Sequence, residues 1–395
     1  MEQDELYLSA KDAAEMLGVG MQTLYAYVSR KMLRSERIEG SRARRYWRAD
    51  VERLSGKPVA TVAPAAESEL ATESRITLIT GNRLFFRGQD VLVLAREGTL
   101  ESVAGLLWQV DPAAVFSAPA PPVPQFTAAL RESLSSLGVL ERAIALFPLV
   151  ERSDPRAYDL SPAGYARTGA DVLRWFAALV VGADGPASGP LHLFVARAMD
   201  APPGFEEVIR QLLVLAADHE FDPITYAVRA VANVGVTPFQ AVTAGLIASQ
   251  GQRFRSERYG VVTRFMNEIL NGGDGASAVV NRLRDGESLP GFHAPLSQQD
   301  PRTSVMMAAL ARALPDDPLL RRLQEAGRAA AEVAQCSMDF ILPALFVGHR
   351  LGLHSDELAI ASIGRMVGWV AHAMEQYHDH PLTRPRAKYV GLLPE

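Results

Sequence analysis

The run Gly368-Trp369-Val370-Ala371-His372-Ala373-Met374-Glu375-Gln376 and the block Arg384-Pro385-Arg386-Ala387-Lys388-Tyr389-Val390-Gly391 decide how this chain is read. Upstream of them, from Ile76 on, alanine and leucine recur at helical spacing, and prolines and glycines fall between these segments. A short strand-like run at Ile76 precedes Phe85-Phe86-Arg87-Gly88. There is neither a Gly-rich phosphate loop nor an alternating strand pattern, so the body is predicted to be almost entirely α-helical.

The 395 residues are 48% hydrophobic, enough to bury one large core or several smaller ones. The longest apolar stretches, such as Trp175 to Gly182, fall short of the roughly 18 residues that a membrane span requires, and the N-terminus opens with acids. A chain with no membrane contact is expected. The single cysteine, Cys336, excludes an intramolecular disulfide and fits a reducing cytoplasm; its expected role is a small buried apolar side chain. The net charge of −5 is unevenly spread. Between Val28 and Arg48 stand eight basic residues and two acidic ones, a local balance of +6 that leaves −11 for the remainder. A basic segment on an acidic body suggests contact with a polyanion.

Within that N-terminal region Ser9 is expected to cap a helix through Ala10, Ala13, Ala14 and Leu17, which Gly18-Val19-Gly20 then breaks. Met21 to Val28 reads as a second helix, with Leu24 and Val28 inward and Gln22, Thr23, Tyr25 and Tyr27 outward. Ser35 to Trp47 reads as a hairpin turning at Gly40-Ser41, and a short helix starts at Asp50. Residues 7 to 54 therefore resemble the winged helix-turn-helix headpieces of the MerR and excisionase type. The resemblance implies DNA contact by Gln22, Thr23, Tyr25, Tyr27 and Arg30 in a major groove, and by Arg42, Arg44 and Arg45 on the wing. The expected organisation is a DNA-binding-like domain over 1–56, an Ala/Pro-rich linker over 57–75, and a third part over 76–395.

Five ordered blocks in that third part resemble the citrate synthase family. Phe86-Arg87-Gly88-Gln89-Asp90, followed by Leu94-Ala95 and Leu106-Leu107-Trp108, is similar to its N-terminal block. Asp218-His219-Glu220 with Thr225 and Arg229 forms the second, and His293 seven residues before Asp300-Pro301-Arg302 the third. Asp339-Phe340 stands in the general-base block, and Arg365, Gly368-Trp369 and Arg384 belong to the last. The resemblance implies an all-helical fold, with a large domain over about 76–253 and 351–395 and a small one over about 254–350. It implies a dicarboxylate such as oxaloacetate, gripped by Arg302, Arg365 and Arg384, for which planar guanidinium forks are suited. His219 and His293 would polarise the ketone carbonyl, and Asp339 would take a proton from acetyl-CoA or propionyl-CoA. No bound cofactor and no metal are implied. In the family the last arginine reaches the neighbouring subunit, which implies a homodimer or a heterodimer with a paralogue.

One position departs from this pattern. Where the family carries Gly-Pro-Leu-His-Gly, this chain reads Gly251-Gln252-Arg253-Phe254-Arg255, so Phe254 replaces the histidine that stabilises the enol. Loss of one such donor costs about 2.7–4 kcal/mol. The glycine usually preceding the second substrate histidine is also absent from Gly291-Phe292-His293. Three functions remain open: an acyl-CoA:oxaloacetate condensing enzyme with weakened chemistry, a dicarboxylate-sensing DNA-binding regulator, and an accessory subunit of a competent paralogue. His192, His349, His354, His378 and His380 are read as structural or exposed, and His378-Asp379-His380 lacks a third companion for a metal.

Overall fold

Ser9 ends a short strand and its hydroxyl accepts the Asp12 N–H at 3.2 Å, which starts the first helix of a small α/β unit. The structure is a computed structural model that describes residues 7–30, 32–38, 43–55, 73–124, 127–295 and 299–384. Arg42, the Gly40-Ser41 turn, residue 56 with residues 57–72 of the expected linker, and everything beyond Arg384 lie outside the described residues.

Strand β1 (Tyr7–Ser9) is followed by helices α1 (Ala10–Leu17) and α2 (Met21–Ser29), strands β2 (Ser35–Arg37) and β3 (Arg44–Trp47), and helix α3 (Arg48–Leu54). Gly18 closes α1 at φ 64°, a left-handed conformation that glycine adopts at little cost. The antiparallel sheet runs β1-β3-β2, pairing Leu8 with Tyr46 and Glu36 with Arg45. Leu8, Ala13, Leu24, Leu33, Tyr46 and Val51 form its own buried cluster. β1 has too few residues to show a period in sequence, and α3 starts two residues earlier than Asp50. Tyr27, expected outside, is half-buried against this cluster, because it lies three residues beyond Leu24 on the same helical face, whereas Tyr25 is exposed.

Past the linker the described chain begins with a meander of β4 (Thr77–Thr80), β5 (Arg83–Phe86) and β6 (Gln89–Asp90), and among the described residues its regular structure thereafter is helical apart from one two-stranded ladder. Its buried apolar residues form a single cluster from Ile76 to Met374. That cluster includes Phe265, Leu310 and Phe346, so the expected small domain shares its packing with the large one. Helix Pro162–Val181, capped by Ser161, and helix Ala359–Asp379 are buried along most of their length.

The decisive run lies on helix Ala359–Asp379. A Cβ at Gly368 would collide with Asp218 Oδ1 and Ala217 O, so glycine lets the 217–218 backbone rest on the helix, and Gly368 N donates to Ala217 O at 2.9 Å. One turn on, His372 Nε2 meets Asp218 Oδ2 at 3.2 Å. Next, Arg229 and Glu375, each with a 3% exposed side chain, pair at 2.7 Å, while Gln376 accepts Arg229 Nε at 3.1 Å. Glu375 also accepts the Arg75 N–H at 2.7 Å and so fastens the start of this part of the chain to its end. No helix among the described residues is long and apolar enough to cross a membrane. Cys336 is half-buried at the edge of the main cluster.

Removing one partner of a buried pair strands the other charge. Glu375→Ala should therefore lower unfolding free energy in urea by about 3–5 kcal/mol, and Arg229→Met combined with Glu375→Leu should restore part of it.

Candidate active site

A ladder of two two-residue strands sets the centre of the site. β7 (Phe292–His293) pairs antiparallel with β8 (Ser337–Met338), with His293 opposite Ser337 and Phe292 opposite Met338. The next rung is the Asp339 N–H donating to Gly291 O at 2.8 Å. Gly291 sits at φ 81°, and a Cβ there would press on Leu342 and Val262, so only glycine fits. This register makes His293 and Asp339 diagonal neighbours on one face. His293 Nε2 meets Asp339 Oδ2 at 2.7 Å, and Asp339 Oδ1 accepts the Ile341 N–H at 2.8 Å.

The electrostatics follow from that contact. Burial alone would raise the Asp339 pKa, but the His293 and Ile341 hydrogen bonds, with the Arg302 charge, hold it below 3.8. The hydrogen bond to Asp339 outweighs desolvation and lifts His293 above 6.5. The contact therefore favours the imidazolium–carboxylate form of the pair over the neutral one.

His219 follows helix Phe205–Leu215, next to Glu220, whose backbone is held at φ 59° with its N–H on Asp218 Oδ2 at 3.1 Å. The imidazole touches solvent yet is walled by protein. That enclosure, and then the charges of Arg302 and Arg365, depress its pKa to about 4. It is neutral at pH 7, a hydrogen-bonding group without charge.

Buried Arg302 and half-buried Arg365 already hold carboxylates. Arg302 lies in the first turn of helix Pro301–Ala313 and folds back onto its capping residue Asp300, Nη2 to Oδ2 at 2.6 Å and Nε to Oδ2 at 3.0 Å. Its guanidinium also stacks 4.5 Å from the Phe340 ring centre. Arg365 donates to Asp218 at 3.1 Å, Asp222 at 2.8 Å and Thr225 at 2.8 Å. His219, Arg302 and Arg365 are thus electrostatic neighbours, and Arg302 also acts on Asp339. Arg384 is exposed beyond helix Ala359–Asp379, behind Thr383, which exchanges two 2.9 Å hydrogen bonds with Asn233. No described contact joins Arg384 to the other site residues.

The segment around Phe254 is helical. Helix Gln252–Phe254 runs into a π-helical turn, Arg255–Tyr259, and then into helix Gly260–Asn271. Phe254 packs against the main cluster, with the Tyr259 ring 6.1 Å away. The Phe254 and Arg255 N–H groups both donate to Gly251 O at 2.9 Å, and Arg255 pairs with Glu141 at 3.2 Å. Neither side chain nor backbone at 254 offers a free donor. The residue that sequence reasoning passed over is Tyr259. It is largely enclosed, which raises its pKa, and it feels Arg258, Asp222, Arg365 and Asp339. Its only sequence signal is its place five residues after Phe254, and the wide π turn could not be read from composition.

Of the residues expected on DNA, Gln22, Thr23, Tyr25 and Arg30 are exposed. Arg44 is exposed and donates to Ser35 Oγ at 2.9 Å. Arg45 pairs with Glu36 at 2.9 Å and lies 4.2 Å over the Tyr7 ring.

A sequence model described as citrate synthase, C-terminal domain, matches residues 65–386. The chain belongs to the citrate synthase family. It is 23% identical to citrate synthase 2 of Bacillus subtilis over 365 residues, covering 84% of this chain and 96% of that one. It is 26% identical to the 2-methylcitrate synthase of Shewanella oneidensis over 211 residues, 52% of this chain and 55% of that one. Among solved structures, the citrate synthase of Thermoplasma acidophilum, described in a ternary complex with carboxymethyl coenzyme A and oxaloacetate, superposes with a TM-score of 0.63 at 18% identity, covering 83% and 96% of the two chains. At that identity the likeness is one of fold.

The ion pair defines a pH window. A lowered aspartate contributes stability that is lost as pH falls through its folded pKa, below 3.8; a raised histidine contributes stability that is lost as pH rises through its folded pKa, above 6.5. The pair holds between those limits. In an NMR titration His293 should titrate above 6.5, and in Asp339→Asn its midpoint should fall toward or below that value.

Proposed function

We propose that this cleft binds a dicarboxylate of the oxaloacetate class and condenses it slowly with acetyl-CoA or propionyl-CoA. The observation that carries the reading is the 2.7 Å contact between His293 and Asp339 beside His219 and Arg302. In this scheme Asp339 takes a proton from the acyl-CoA methyl or methylene carbon, the resulting enolate attacks the ketone carbon, and His293 returns a proton to the new alkoxide. Water then cleaves the thioester and releases the CoA thiol. Two rearrangements precede chemistry. His293 must turn from Asp339 to the ketone oxygen, which frees the base, and the substrate carboxylates must displace Asp300 from Arg302 and Asp222 from Arg365. Arg384 would serve a partner subunit, in a homodimer or in a heterodimer with a paralogue. Phe254 leaves the enolate without its usual donor, and the Tyr259 phenol, in electrostatic reach of Asp339 and Arg365, is the substitute proposed here.

A second reading, a dicarboxylate-sensing DNA-binding regulator, is favoured by one feature. β4 is bonded at one end to Asp218, through Thr77 Oγ1 at 2.5 Å, and at the other to Glu52 of α3, through Thr80 Oγ1 at 3.5 Å. The strand thus joins the binding cleft to the N-terminal unit. The α1–turn–α2 arrangement with the β2–β3 pair supports a winged helix-turn-helix over 1–56, and the two buried clusters support its separation from 76–395.

Calorimetry should detect oxaloacetate binding by wild type and its loss in Arg302→Ala. A thiol-release assay should find turnover below the usual range of about 1–1,000 per second. Tyr259→Phe should lower it by a further factor of about 100 to 1,000, and Phe254→His should raise it in part. No oxaloacetate binding would remove the dicarboxylate reading, and ordinary turnover that Tyr259→Phe leaves unchanged would remove Tyr259 from the chemistry.

For the second reading, DNA affinity should fall with salt, and Arg44→Ala should flatten that slope more than Arg45→Ala, whose guanidinium is already paired with Glu36. Salt-independent affinity would exclude phosphate contacts by the wing.

A further inference from the structure

Helix Ile341–Arg350 carries His349 in its last turn, and the chain then doubles back through residues 351–358 into helix Ala359–Asp379. The return brings His354 and Glu357 over His349. One donor atom from each of the three lies within 4.8 Å of the others, and the two imidazole rings stand edge to face, 5.1 Å apart. The approach is built into the backbone. A Cβ at Gly348 would collide with the Glu357 main chain, and Ser355 is held at φ 74°, a conformation that residues with a side chain avoid. Glu357 is 6% exposed, and His349 Nδ1 is buried with no hydrogen-bond partner. An unpaired buried nitrogen is costly and calls for a partner. The adjacent cation, Arg350, is turned to Asp317 at 2.9 Å.

We infer that His349, His354 and Glu357 bind a divalent transition metal of the Zn²⁺ class, with water completing the coordination. Two imidazoles and one carboxylate are a borderline donor set that suits such an ion, whereas Mg²⁺ and Ca²⁺ take oxygen ligands. Tetrahedral Zn²⁺ with bonds of about 2.0–2.2 Å sets its donors about 3.3 Å apart. His354, the exposed member, is the side chain free to close the remaining distance. The other histidine tract, His378-Asp379-His380, has no such grouping among the described residues: His378 packs between Tyr165 and Tyr377. A metal here would clamp the end of the segment that carries Asp339 to the start of the helix that carries Arg365. It would act apart from the dicarboxylate cleft, and it does not depend on the condensation reading.

The test uses full-length protein stripped with a chelator. Zn²⁺ titrated by calorimetry, followed by metal analysis after gel filtration, should give one ion per chain, and Co²⁺ should give visible absorption of tetrahedral intensity. His354→Ala, at an exposed position, and Glu357→Gln should each weaken binding at least about tenfold and abolish the Co²⁺ band, while the double variant His378→Ala, His380→Ala keeps both. Wild type that retains no metal, retention by His354→Ala equal to wild type, or loss in the His378/His380 variant would each overturn the assignment. The unfolding temperature should rise with Zn²⁺ in wild type and not in His354→Ala.

Discussion

A single carboxylate without exposed surface, Asp218, ties together most of what this chain positions. Burial alone would keep it protonated, but His372, Arg365 and Thr77 surround it, and together they hold it ionised well below the usual carboxylate range. An unpaired charge at that depth costs several kcal/mol, about what a whole domain has to spare. The groups that satisfy it come from β4 and helix Ala359–Asp379, and the Glu220 N–H from its own turn adds a further bond. His219 is the next residue in the chain, so its place follows from this one anchoring. Gly368 matters for the same reason: it is the absence of a side chain there that lets the carboxylate reach the helix.

The helical body was legible because alanine and leucine recur at helical spacing, while His219, His293, Arg302 and Asp339 were named through the family resemblance; of these the structure brings His293 and Asp339 into contact, with Arg302 in electrostatic reach of Asp339. What escaped was two-body information. Nothing in composition says that Arg302 closes on Asp300 or that Arg365 is shared between Asp218 and Asp222, since a carboxylate close in sequence looks the same whether it pairs or points to water. Tyr27 was misjudged because an amphipathic face was read by polarity and not by its three-residue spacing from Leu24. Tyr259 was missed because a π turn shifts every later side chain relative to an α register. The grouping of His349, His354 and Glu357 depends on a loop reversing direction, which spacing alone does not reveal.

The cleft also has an unusual charge economy. Arg302 and Arg365 are already paired with the internal carboxylates Asp300, Asp218 and Asp222, so on the proposed reading binding at these two would be an exchange of anions rather than the filling of a bare positive pocket. Such a site discriminates by geometry, because a ligand must match two guanidinium planes better than Asp300 and Asp222 do. It also gains little from net attraction, which suits a chain whose overall charge is negative.

The β7–β8 ladder has a consequence for how this protein tolerates change in length. Side chains alternate faces along a strand, so one residue added or lost between Gly291 and His293 would turn the imidazole away from Asp339 to the opposite side of a two-residue ribbon. A change of length there would therefore cost the His293–Asp339 pair, although the Asp300 cap would still start helix Pro301–Ala313.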